Sequence, residues 1–297
     1  MATRIHRWYL TAEELKRSYL FQLAGKTRED DRVHSAIRGA SAIVEKALGT
    51  WFYPRTLTHY YDHPEPNADI LELGQWLLSV TTFTTENGND TLAATDYFLA
   101  HTSQDPDYNK SPYRLVIMNP DGDYPYLEWS GTKRRANAIA GVWGYGDDSE
   151  DTEATVLNDP LAIGGTSLTV LTGLIETGWM LLIEDEQVFS SAVTTGDPND
   201  TVTIVRARGG TTAAEHAATT AISRYVPPYE IELLTGILAA RLFHRGTAAW
   251  ADVVGTRETA RQFVKAMAPE ASYVLDMYLD ETYFGNSGFV SWDLLDG

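Results

Sequence analysis

Residues 30–54 read DDRVHSAIRGASAIVEKALGTWFYP. Val33, Ile37, Ala40, Ile43, Val44, Ala47 and Leu48 recur in steps of three and four, which lines one face of a helix with apolar side chains. Gly49 stands where the last turn needs a left-handed residue, and the aromatic run ending in Pro54 cannot prolong the helix. The stretch therefore predicts a helix over 30–48 that delivers the chain into another kind of structure.

Upstream, Thr11 and Glu14 have capping-box spacing for a short helix, with Gly25 as a stop. Downstream, short segments rich in Thr, Val, Tyr and Leu alternate with Pro, Gly, Asn and Asp, the texture of a β-meander. Strands are expected at 57–62, 77–86 before an Asn87-Gly88 turn, 97–100, 114–119 and 137–144. The run DDSEDTE at 147–153 is acidic and poor in core residues, so it reads as a linker or loop. A second β unit follows, with strands at 168–171, 179–183, 187–191 and 201–206 and a turn at Asp185-Glu186. Its length suits a small barrel or sandwich inserted into a parent domain. Helix returns after Pro227-Pro228, where proline suits a first turn, and again at about 256–267 and after Pro269. The fold class expected is α+β.

Composition narrows the function. The 297 residues are 43% hydrophobic, enough for one large core or two smaller ones, so disorder throughout is not expected. The absence of cysteine excludes disulfides, thiol nucleophiles and iron–sulfur clusters. No apolar run approaches the roughly 20 residues of a membrane span, and the first residues lack a signal-peptide pattern. The chain reads as cytoplasmically made, with no membrane partner.

The formal charge is −18, and it is unevenly spread. Residues 1–55 carry ten Lys or Arg against six Asp or Glu, whereas residues 146–205 carry twelve acids and no Lys or Arg. Gripping DNA requires clustered cations on the phosphates, so tight DNA binding is disfavoured. Solubility explains most of such an excess, although carboxylates facing a channel would also keep DNA mobile.

No residue pattern demands catalysis. His59 and His63 have the spacing of a helical zinc pair, but HYYDHP before a proline reads as a strand end, where that spacing loses its meaning. DPD at 105 and DGD at 121 lack the rest of a calcium loop and read as turns. GVWGYG at 141–146 has neither phosphate-loop spacing. Lys133, Arg134 and Arg135 could touch phosphate and read first as a solvated turn. The eight tryptophans and sixteen tyrosines fit core and subunit contacts before ligand stacking. No cofactor is expected, and no enzymatic activity.

The order of pieces carries more. A short helix, then DDRVHSAIRGASAIVEKALGTWFYP, LELGQWLLSVTTFTTENG, SPYRLVIM, RRANAIAGVWGYGD and PPYEIELLTGILAARLFHR together resemble the head–tail connector (adaptor) proteins of long-tailed double-stranded-DNA bacteriophages, over about 11–147 and 227–279. Between them, GWMLLIEDEQVFSSAV and TVTIVRARGGTTAAEHAATTAISRY resemble a small β module of phage structural proteins, with Arg208, Gly209, Gly210, Thr211, Ala213 and His216 carrying an R-G-G-T-x-A-x-x-H element. Compact connectors lack that insertion. The resemblance implies a helical connector domain whose N- and C-terminal helices pack together, divided as 1–146, an inserted acidic module at 147–226, closing helices at 227–284 and a docking tail at 285–297. It also implies a dodecameric ring beneath the portal in the virion neck, extending the DNA channel and meeting a stopper or tail-terminator protein. Such a ring needs a heterologous interface. Phe289, Trp292, Leu294 and Leu295 in the tail are the expected partner-binding residues, since burial would stabilise them by about 25 cal/mol per Å². The rival readings are a phage carbohydrate-binding or hydrolytic accessory protein, whose two carboxylates would face each other across a cleft, and another neck, tail-completion or minor capsid protein.

Overall fold

The computed structural model describes residues 8–64, 67–101, 111–128, 130–157, 160–245, 261, 264–266, 268–269 and 272–283. Among them the chain is α+β, with helices α1 (Ala12–Ser18), α2 (Asp30–Leu48), α3 (Tyr229–Arg245) and α4 (Ser272–Tyr283) and two antiparallel sheets.

The helices make one packed hub. The Thr11 hydroxyl accepts the Glu14 amide at 3.1 Å while Glu14 accepts the Thr11 amide at 2.8 Å, so the expected capping box starts α1. The apolar stripe of α2 is buried, and Gly49 closes the helix at φ 69°, donating to the Glu45 carbonyl at 2.7 Å. Against that stripe lie Ile231, Leu234, Leu238 and Leu242 of α3 and Val274, Leu275 and Tyr278 of α4. The aromatic exit is part of this core. Tyr9 donates to Glu45 at 2.6 Å and accepts the Phe52 amide at 3.2 Å, and Tyr53 donates to the Trp8 carbonyl at 2.6 Å.

The first sheet comprises β1 (Arg55–Tyr61), β2 (Ile70–Thr85), β3 (Asp90–Leu92), β4 (Tyr97–Ala100), β5 (Tyr113–Met118) and β6 (Asn137–Trp143), in the order β1-β6-β2-β5-β4 with β3 on β2. Its core packs Leu71, Leu73, Phe83, Val116, Met118, Ile139 and Trp143 on one face. The second comprises β7 (Ser149–Thr155), β8 (Ser167–Leu171), β9 (Met180–Ile183), β10 (Glu186–Thr194), β11 (Asn199–Arg208) and β12 (Ala221–Tyr225), in the order β7-β12-β9-β10-β11-β8. It curls far enough for the Leu157 amide, just past β7, to donate to the Thr169 carbonyl on β8 at 2.9 Å.

Three expectations need correction. The acidic run read as a linker or loop is largely strand: β7 pairs with β12 from Ser149↔Tyr225 to Thr155↔Ala221. Its carboxylates tolerate a strand because their side chains are exposed to water. The strand predicted at 77–86 begins seven residues earlier, at Ile70, and shifts register between Glu72 and Leu77. The turn placed at Asp185-Glu186 falls at Glu184 and Asp185, with Glu184 at φ 52°. Most of the helical stretch expected at 256–267 lies outside the described residues.

Candidate functional site

The second sheet is organised around a buried ion network. Glu186, the first residue of β10, is 1% exposed. Its carboxylate accepts Arg206 Nε at 2.8 Å and Nη2 at 2.5 Å, the Ala207 amide at 2.9 Å and the Ala214 amide at 3.1 Å. His216 Nε2 stands 2.9 Å from the same carboxylate, and His216 Nδ1 stands 2.7 Å from Glu184. Burial opposes the charge on Glu186, yet Arg206, the two amides and His216 outweigh it and hold the carboxyl down at about 2. Arg206 also donates to the Ala162 carbonyl at 2.9 Å and to that of Ala214. A carboxylate so fully engaged locks a loop and has no oxygen left to take a substrate proton.

The glycines of the same element fasten the two sheets together. The Thr56 amide of β1 donates to the Gly209 carbonyl at 2.6 Å, and Gln187 Nε2 donates to the Pro54 carbonyl at 2.9 Å. Gly210 has φ 83°, and a Cβ there would collide with the Thr56 carbonyl oxygen. Thr211 accepts the Gln187 amide at 3.1 Å and donates to the Arg208 carbonyl at 2.8 Å. The structure thus brings Gly209, Gly210, Thr211 and His216 into one clamp. The arginine that grips Glu186 is Arg206, two residues before the element's Arg208. Ala207 at φ 52° marks a bulge in β11, where the register against β10 shifts between Gln187 and Phe189.

A shallow notch of about 300 Å³, counting its open mouth, separates α1 and α3 from the second sheet. Glu14, Glu232, Arg224, Trp8 and Trp179 line it. Arg224 lies 4.3 Å over the Trp179 ring and pairs with Glu150. Burial, then the neighbouring Glu14, push the Glu232 carboxyl up to about 7 against the pull of Arg224.

Elsewhere, the sequence candidates separate. His59 lies within β1 with its ring 4.4 Å from that of Trp143, and His63 is buried beyond the strand end. Among the described residues, no group of three or more His, Asp or Glu side chains is placed to hold a metal. Residues 121–123 form a turn, with the Asp123 amide donating to the buried Asp96 at 3.2 Å. Residues 105–107 lie outside the described residues, as do Phe289, Trp292, Leu294 and Leu295. Lys133, Arg134 and Arg135 are exposed. Three large aromatic side chains of the helical hub face outward: Phe21 is 70% exposed, Tyr229 72% and Tyr273 54%. No periodicity points to these three, since each interrupts a helical start or turn. On the first sheet, Phe98, Ile117 and Ile70 stand in register across β4, β5 and β2, and the outer two are 48% and 39% exposed.

Comparison with family models, with curated proteins and with solved structures gave no match to this chain.

Proposed function

We propose that the chain is a structural subunit of the head–tail junction of a tailed phage, acting as a ring-forming connector beneath the portal rather than as an enzyme. The observation that carries the reading is the exposure of Phe21, Tyr229 and Tyr273 on an otherwise closely packed helical hub. Large aromatic side chains gain most from being covered by protein, and aromatic enrichment marks interface cores. A second support is that the strongest ionic cluster is consumed internally: Glu186, Arg206 and His216 fix a loop. A third is the order of the pieces, in which helices from both ends of the chain enclose two β units. In this reading the second unit is a small barrel inserted into the connector, and the ring is a dodecamer that surrounds passing DNA. Phe289, Trp292, Leu294 and Leu295 anchor the tail on the portal or on a neighbouring copy.

Native mass spectrometry and negative-stain imaging of the purified protein, with and without purified portal, test the reading. Closed rings, alone or on the portal, are expected. A monomer that neither assembles nor binds portal overturns it. Removing residues 285–297 should abolish docking on the portal or weaken the ring, and unchanged assembly removes the tail from the interface.

A further inference from the structure

Two exposed patches of opposite sign sit far apart on each copy. The first is the loop at 133–135 with Tyr60 beside it. Arg134 and Arg135 are exposed, the Arg135 amide donates to the Asp62 carboxylate at 2.8 Å, and the Arg135 guanidinium lies 3.9 Å over the Tyr60 ring. Tyr60 is itself 52% exposed, so a cation and an aromatic surface are presented together in a fixed arrangement. The second patch is the edge strand β7 and its approach, where Asp147, Asp148, Asp151 and Glu153 are exposed. Glu150, by contrast, is already paired with Arg224.

Within one copy these patches do not neutralise each other. β1 starts with the Thr56 amide on Gly209 of the second sheet and ends with the His63 amide on the Lys133 carbonyl at 2.7 Å. At about 3.3 Å per residue, that strand holds the basic loop ~20 Å from the second sheet. The screening length at physiological salt is about 8 Å, so neither patch compensates the other within a copy.

We infer that the basic loop 133–135 with Tyr60 of one copy docks on the acidic β7 edge of the next copy around the ring. This rests on the ring reading and deepens it by naming the two faces. A ring needs two different, complementary surfaces on every subunit, present in equal number, and these patches satisfy both requirements. A chain carrying −18 overall is a poor general partner for phosphate, which favours a second copy over DNA as the occupant of the basic loop. The assignment replaces the channel-facing expectation for the β7 carboxylates, because acids covered by a neighbour's arginines do not line a DNA passage.

Charge reversal tests it on the full-length protein, with native mass spectrometry as the readout. Arg134→Glu with Arg135→Glu should raise the concentration needed for ring assembly at least ~tenfold, and Asp148→Lys with Glu153→Lys should do the same. The chain carrying all four substitutions should assemble again within about threefold of the original and should not mix with it. That variant doubles as the folding control, since it contains every change. Rings that persist unchanged in either reversed pair overturn the inference while leaving the ring reading in place. Failure of the fourfold variant to assemble, with an unaltered melting curve, also overturns it. So does intact assembly accompanied by lost retention on duplex DNA in the arginine variant, which assigns the loop to nucleic acid. An original chain that stays monomeric with and without portal defeats the ring reading itself.

Discussion

The two sheets solve the same packing problem by different means. The second is pinned from inside, with Glu186 receiving Arg206, two amides and His216 at the head of β10, and with its two edges drawn to within one hydrogen bond. The first is secured by aromatic packing: Trp143 donates from its indole to the Leu57 carbonyl at 3.1 Å and meets His59, while Arg114 lies 4.7 Å over Trp76. A buried charge network admits one loop conformation, because every other arrangement strands a charge. Aromatic packing tolerates adjustment. The difference teaches that the second sheet is the rigid element and the first sheet the adaptable one.

The largest test of that contrast is Arg206→Ala, which leaves Glu186 buried and unpaired and should cost about 3–5 kcal/mol. Denaturant unfolding should show that loss, with hydrogen exchange rising first in β9 to β11. The same network predicts acid sensitivity. Glu186 is held at about 2 against an ordinary value of 4.5, so its stabilising contribution is complete above pH ~4.5 and disappears as the pH falls towards 2. Melting temperatures across pH 2–6 should fall on the acid side, and the fall should shrink in Glu186→Gln. Gly210→Ala attacks the joint between the sheets, since it adds a clash to a left-handed backbone, and should cost about 2 kcal/mol. Exchange should then rise at the Thr56 amide while the Glu186 network stays protected.

Smaller effects belong to the margins. Glu232 is raised to about 7, so the folded state resists its ionisation and loses stability as the pH climbs from about 4.5 through 7. Glu232→Gln should therefore stabilise the protein above pH 7 by about 1 kcal/mol after allowing for the open mouth of the notch. The smallest change expected is Arg135→Ala, about 0.5–1 kcal/mol from the exposed contact with Tyr60, measured by thermal melting.

Much of the architecture was legible in residue order. The periodicity of 30–48, its glycine stop and the capping box at Thr11 each match an observed element, because each signal is local. β7 was misread because its residues are those of a solvated loop, and only the partner strand β12, some 70 residues on, makes it a strand. That information is tertiary. The clamp was visible as an element, but not its ionic heart. Glu186 looked like a turn residue beside Asp185, and the reach of Arg206 to it depends on the bulge at Ala207 in β11. The outward aromatics of the hub could not be foreseen, since their exposure depends on which helix faces remain uncovered once α3 and α4 have packed.

The hub is assembled from helices at both ends of the chain, with everything from Gly49 to Pro228 between them. Synthesis therefore releases the oily side of α2 long before its mates exist. At about 5–20 residues per second, roughly 180 residues separate them by ~10–40 s. During that interval both sheets can mature on the ribosome while α2 waits bare, a natural customer for a chaperone.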